Sequence, residues 1–202
     1  SIFMIEQAPN TRRMIIVSNR LPFSVVEKDG EMTFGTSIGG LISGLSAYLS
    51  PTEKNLDWLW VGWPGINIDD EKQDAFKRSI ASKRAYPVFI SEEEMDKFYY
   101  GFCNSTIWPL FHYFLMHTYY EPDEWEVYKE VNERFAEAVL EVLEPDDIVW
   151  IHDYHLMLLP QLIREKRHDA TIGFFLHITF PGFELFGLRS EVSRGGKGGG
   201  SG

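Results

Sequence analysis

Cysteine is almost absent from this 202-residue chain. Cys103 stands alone, so no intrachain disulfide can staple the fold. A single thiol fits a reducing compartment, and beside Phe102 and Asn104 it reads as a small packed residue. Positive charge is scarce too. With 19 Lys and Arg against 30 Asp and Glu, the net charge is −11, which argues against a nucleic-acid surface or an anionic membrane as partner. A phosphorylated small ligand stays compatible, because a few local donors outweigh a distant acidic surface. No apolar run approaches the ~20 residues that cross a bilayer. The opening Ser1–Glu6 lacks the basic start and apolar core of a secretion signal, so a cytoplasmic setting is expected. Walker A and Gly-x-Gly-x-x-Gly sequences are missing, as is any Cys/His spacing of a structural zinc site. His152 and His155 lie three apart on an expected turn with no third ligand. Neither a metal nor a cofactor is expected.

Aromatic residues are abundant at 15%, and the apolar fraction of 44% is enough for one sizeable core. The most informative stretch runs from Asp146 to Arg164. An apolar run, Ile148 to Ile151, stops abruptly at His152, Asp153, Tyr154 and His155, and a helix-like segment follows. This pattern predicts a buried strand whose carboxyl end presents ionisable groups at the lip of a sheet. Residues 1–12 read as a lead-in, and Arg13 to Ser18 as a strand ending in Asn19 and Arg20. Asp29-Gly30 is expected to turn a small hairpin between Phe23 and Phe34. Gly39 and Gly40 open an apolar helix, where bare backbone N–H groups could approach an anion, or could form a plain tight turn.

Further on, Asp57 to Gly65 reads as a strand with Trp63 at its end, and Tyr86 to Ile90 as a strand that Pro87 sends to an edge. Ser91 and Glu94 form a capping box. The aromatic stretch Phe102 to Tyr113, broken by Pro109, looks too irregular for one amphipathic helix. From Asp123 to Leu143 the residues Trp125, Tyr128, Asn132, Phe135, Val139 and Val142 step by three and four, a helix with one amide on its apolar seam. A last strand, Thr171 to Ile178, carries His177 near its carboxyl end. Strands alternating with helices predict an α/β fold: a Rossmann-like parallel sheet with helices on both faces.

Arg20, the pair Gly39-Gly40, Trp63, Asp153 and His177 thus share one expected edge, where open parallel sheets bind ligands. Each also has a plainer reading. Asp153 could cap the next helix, His177 could be a satisfied core histidine, and Arg20 could pair with a surface carboxylate. Together they suit a phosphorylated sugar: an arginine fork and glycine amides for phosphate, Trp and Tyr faces for the ring, and a carboxylate for hydroxyls.

With these residues in hand, the chain resembles the N-terminal half of trehalose-6-phosphate synthases, retaining glycosyltransferases of two Rossmann-like domains (the GT-B architecture). The resemblance rests on Ile16-Val-Ser-Asn-Arg-Leu-Pro22, Gly39-Gly-Leu41, Trp60-Val-Gly-Trp-Pro-Gly65, the run Phe98 to Tyr113, Trp150-Ile-His-Asp-Tyr-His-Leu-Met157 and Gly173-Phe-Phe-Leu-His177. It implies transfer of glucose from UDP-glucose to glucose-6-phosphate, giving trehalose-6-phosphate and UDP, without a metal. By position, Arg20, Trp63, Tyr99 and Trp108 would hold the acceptor, with Arg20 and Tyr99 near its phosphate. Gly39 and Gly40 would face the donor. Asp153 and His177 take the catalytic positions, Asp153 binding a sugar hydroxyl and His177 the transferred glucose. The protein's part would be orientation and charge stabilisation, with the donor phosphate helping to deprotonate the acceptor.

The family's His-(Thr/Ile)-Pro-Phe-Pro pattern is altered here, with Thr179 in place of the first proline and Gly182-Phe183 before Glu184. Residues 13–190 are therefore read as an acceptor-side domain incomplete at its C-terminal end, and 191–202 as a tail of flexible-linker composition. The missing C-terminal GT-B domain would be its necessary partner, and the fragment is expected to be inactive alone. Self-association stays open. So do a non-catalytic homologue that binds phosphosugars and a synthase using another polyol acceptor.

Overall fold

The computed structural model describes residues 12–36, 57–111 and 121–177. Its frame is a five-stranded parallel sheet built from β1 (Arg13–Arg20), β4 (Asp57–Trp63), β5 (Ala85–Pro87), β6 (Ile148–His152) and β7 (Thr171–Phe175). Across the sheet the order is β5-β4-β1-β6-β7. A separate antiparallel hairpin joins β2 (Phe23–Lys28) to β3 (Glu31–Thr36) through Asp29 and Gly30, both at positive φ as the predicted turn requires. Ile15, Ile16 and Val17 are completely buried because helices cover both faces of the sheet. On one face Ile15, Val17, Val61, Val149 and Ile151 meet Phe98, Tyr128, Phe135 and Leu159. On the other, Ile16 and Trp60 meet Val25, Phe76 and Ile80.

Phe76 and Ile80 belong to α1 (Asp70–Ala81). The opposite layer holds α4 (Pro122–Val142) and α5 (Leu159–Lys166) together with a longer helical run. That run starts at α2 (Glu92–Met95), opens into wider π-type turns over Asp96–Ile107 and closes with α3 (Trp108–Phe111). The stretch from Phe102, expected to be irregular, is therefore helical as far as Phe111. Its buried residues Phe98, Phe102, Thr106 and Leu110 step by four, wider than the 3.6 repeat, which matches π turns better than α. Strand β5 is also shorter than predicted. Pairing ends at Pro87, which has no N–H to donate, although Val88 N still bonds Gly62 O at 2.9 Å. The Gly39-Gly40 helix, the end of the strand expected to reach Ile178 and the 191–202 tail lie outside the described residues.

The chain builds the sheet outward from β1 to β4 and β5, then returns to the other side of β1 for β6 and β7. The order therefore reverses between β1 and β6, and the carboxyl ends of those strands flank the crevice where such sheets take ligands.

Candidate functional site

A cleft of about 450 Å³ lies at that reversal, lined among others by Asn19, Arg20, Trp63, Tyr99, Asp153 and His155. Its β1 side depends on an irregularity. Val17 pairs with Val61 but Arg20 pairs with Trp63, so β1 carries one more residue than β4 over this step. Ser18 pins the irregularity: its Oγ donates to Arg20 O at 2.7 Å and accepts from Trp60 Nε1 at 2.7 Å. Gly62 opposite allows the close approach, since a Cβ there would sit 2.9 Å from Ser18 O and 3.0 Å from Leu21 N. Arg20 emerges exposed, and its guanidinium forms no ion pair among the described residues. The plainer reading of Arg20 as half of a surface pair is not what the structure shows.

Asp153 follows the last residue of β6 with φ 77 and ψ 172. A non-glycine residue there is strained by roughly 1–3 kcal/mol, and such strain concentrates at ligand sites. Its backbone N–H donates to Phe175 O at 2.8 Å, and its Oδ1 accepts from Tyr154 N at 2.9 Å. The carboxylate thus caps the short 3₁₀ turn Tyr154–Leu156 and also lines the cleft. Both readings of Asp153 hold at once, because a carboxylate has further lone pairs to offer. Tyr99, from the π-type segment, is half-buried, and its ring lies parallel to that of His155, 5.3 Å between centroids and 5° between planes. Burial pushes the Tyr99 phenol up, with the Arg20 charge opposing, so it remains an O–H donor.

Four buried polar atoms on lining residues have no hydrogen-bond partner: Asn19 Oδ1, Trp63 Nε1, His152 Nε2 and His155 Nε2. Native folds leave few such atoms, and their clustering here marks a ligand site better than any single residue does. Burial lowers both His152 and His155 to about 4, with the His177 charge adding to the effect on His152. Both imidazoles are therefore neutral near pH 7.

The remaining predicted site residues stand apart. His177 is exposed, not a core histidine, and its Nε2 lies 3.3 Å from His152 Nδ1. It reaches the cleft through His152 and does not line it. Trp108 is 40% exposed and packs on Tyr154 at 5.8 Å, one residue beyond Asp153, outside the cleft wall. Gly39 and Gly40 lie outside the described residues. Sequence reasoning singled out His155 only as a deficient metal ligand and missed it as the wall behind Tyr99. No pattern in the chain signals that ring-on-ring contact. Among the described residues no three His, Cys, Asp or Glu side chains converge as a metal would require, and no helix is long and apolar enough to cross a membrane.

A free guanidinium, unpaired hydrogen-bonding groups, aromatic faces and a carboxylate suit a small anionic molecule bearing hydroxyls. Comparison with known proteins agrees in kind. The chain is similar to the UDP-forming α,α-trehalose-phosphate synthase of Emericella nidulans, 41% identical over 199 residues. The match covers 94% of this chain and 39% of the relative. The corresponding Schizosaccharomyces pombe enzyme is 43% identical over 93% of this chain and 38% of its own length. The chain thus spans under two-fifths of these relatives. Among solved structures, a Burkholderia xenovorans synthase in complex with glucose-6-phosphate superposes with a TM-score of 0.65 at 27% identity, covering 91% of this chain and 37% of that one. An Escherichia coli structure bound with UDP-2-fluoro glucose gives 0.67 at 30% identity, over 90% and 36%. The model of glycosyltransferase family 20 matches residues 12–192, nearly the whole chain, and the chain belongs to that family.

Proposed function

We propose that this chain is the acceptor-side part of a UDP-forming α,α-trehalose-phosphate synthase, which transfers glucose from UDP-glucose to glucose-6-phosphate with retention. The observation that carries the reading is the unpaired Arg20 guanidinium at the strand-order reversal, sharing one cleft with Trp63, Tyr99 and Asp153. Arg20 offers a planar fork of donors to a phosphate, and the Tyr99 hydroxyl adds another. The Trp63 ring is an apolar platform for a pyranose, and Asp153 accepts from sugar hydroxyls. Trp108 joins the acceptor set, and Gly39, Gly40 and His177 the donor set, by their places in the motifs. In the transfer, the acceptor hydroxyl oxygen bonds to the glucose carbon as the bond to the UDP phosphate breaks. The hydroxyl proton passes to the departing phosphate. The chain's contribution is to hold the acceptor in line and to balance its charge.

Residues 13–190 form the domain in this reading, with 1–12 a lead-in and 191–202 a linker-like tail. A cytoplasmic setting fits the single, fully buried thiol of Cys103. The chain spans under two-fifths of its relatives, so half of the donor site is absent and the fragment turns over no substrate alone. Isothermal titration with glucose-6-phosphate should show binding that weakens roughly 10- to 100-fold in Arg20→Ala, the worth of a charge-assisted contact. Equal affinity in the variant, or glucose transfer by the chain alone, overturns the respective half of the proposal.

A further inference from the structure

Two polar side chains of α4 make no contact with the cleft yet hold the turn that forms one of its walls. Asn132, fully buried on the apolar seam, donates through Nδ2 to Tyr128 O at 2.9 Å and to His155 O at 3.1 Å. The Tyr128 hydroxyl donates to Tyr154 O at 2.9 Å and accepts from Met157 N at 3.1 Å. Three consecutive loose groups of the segment after Asp153 are thereby tied to one helix. We propose that Tyr128 and Asn132 are positioning residues, a clamp that fixes Asp153 and the Tyr99 ring in the acceptor cleft from behind. This rests on the acceptor-site reading given above.

The segment cannot hold itself. Asp153 sits at a φ of 77, which a free chain seldom adopts without glycine. What holds the turn at its start is the bond from Asp153 N to Phe175 O and the cap of Tyr154 N on the carboxylate. What holds it at its end is α4. Between these ties the His155 ring is stacked on Tyr154 at 4.1 Å and on Tyr99 at 5.3 Å. Releasing the carbonyls of Tyr154 and His155 frees the turn on both sides. Asp153 then relaxes toward ordinary backbone angles, and Tyr99 loses the surface that orients it. Burial raises the Tyr128 phenol far above its usual range, so its O–H stays available to donate at any working pH. A purely structural account of Asn132 is weak, because leucine would fill an apolar seam without leaving Asn132 Oδ1 buried and unpartnered.

Tyr128→Phe and Asn132→Leu test the clamp, with glucose-6-phosphate as the probe. Each variant should stay folded, with a melting temperature within a few degrees of the unaltered chain. Each should nevertheless bind glucose-6-phosphate roughly 3- to 10-fold more weakly, the span of one net hydrogen bond. The loss should vanish in an Asp153→Asn background, since the clamp acts through that residue. Hydrogen exchange at the amides of Asp153, Tyr154 and Met157 should quicken in Tyr128→Phe without ligand present. Unchanged affinity in folded variants, or a loss that simply adds to that of Asp153→Asn, overturns the clamp. If the unaltered chain binds no glucose-6-phosphate, the acceptor reading fails by itself. The clamp is then decided by exchange alone, and unchanged protection of those three amides overturns it.

Discussion

A Cβ at position 65 would lie 2.7 Å from both Nε and Nη2 of Arg20, and Gly65 itself has φ 87. The guanidinium is the far end of a flexible chain and gives way, so the two costs of Gly65→Ala separate. The backbone angle costs about 1–2 kcal/mol of stability. The displaced fork costs affinity. Gly65→Ala is expected to lower the urea midpoint and weaken glucose-6-phosphate binding together, whereas Arg20→Ala weakens binding with the midpoint unchanged. Wild-type affinity in Gly65→Ala would mean that the resting place of Arg20 is irrelevant to binding. At this scale the sequence was informative wherever an apolar strand ends in a polar residue, which is how Arg20, Trp63 and Asp153 are found. Tyr99 and Trp108 came only through the resemblance, because an aromatic in an aromatic-rich run carries no mark of its surroundings. His155 was invisible as a wall, since nothing in spacing reports that two rings from distant segments stack.

Ser91 and Glu94 show how one local signal grows into a link between elements. The capping box is complete, with Glu94 N donating to Ser91 Oγ at 3.2 Å and Ser91 N donating to Glu94 Oε2 at 2.8 Å. The same carboxylate receives both arms of Arg134 from α4, at 2.8 and 2.6 Å, while Arg134 Nη1 also donates to Phe89 O at 3.0 Å. The Arg134 hydrogen bonds, against a smaller burial effect, hold Glu94 at about 2. Ser91→Ala should therefore cost about 1 kcal/mol, the usual worth of a cap. Glu94→Ala should cost about 2 kcal/mol, because it removes the cap's other half and leaves a half-buried guanidinium short of its partner. Urea unfolding of both variants and of the double variant checks this, with the double expected to fall short of the sum. Equal costs for the two single changes would rule out the α2–α4 link. The box, the hairpin and the α4 seam were legible because each is written within four residues of sequence. The π-type turns were not, since their step of four lies too close to the α repeat to be separated by eye.

Over the whole molecule, the sequence pattern yields the parallel sheet and its ligand-bearing lip, but strand order and the position of β1 at the reversal come from tertiary pairing alone. That order buries two histidines behind the cleft, and the burial makes stability depend on pH. His152 and His155 are held at about 4 in the folded chain, against an ordinary 6.5 once unfolded. Between those values the unfolded state takes up protons that the folded state refuses, so stability falls as pH falls through about 6.5 to 4. Each group contributes up to ~1.4 kcal/mol per pH unit within that window. Glu94 acts further down: its stabilisation is complete above the usual carboxylate range and is lost as pH drops from about 4.5 toward 2. The net charge of −11 works the other way, because protonating surface carboxylates relieves self-repulsion, but it does so mainly below pH 5. The interval from pH 6.5 to 5 therefore isolates the histidines. His155→Phe keeps a flat ring between Tyr99 and Tyr154 while removing one titrating group. Melting temperatures recorded across that interval should decline for the unaltered chain, and the slope should fall by about half in His155→Phe. A slope that persists at full strength would show that His155 charges freely in the folded chain, and so that the wall behind Tyr99 is open to water.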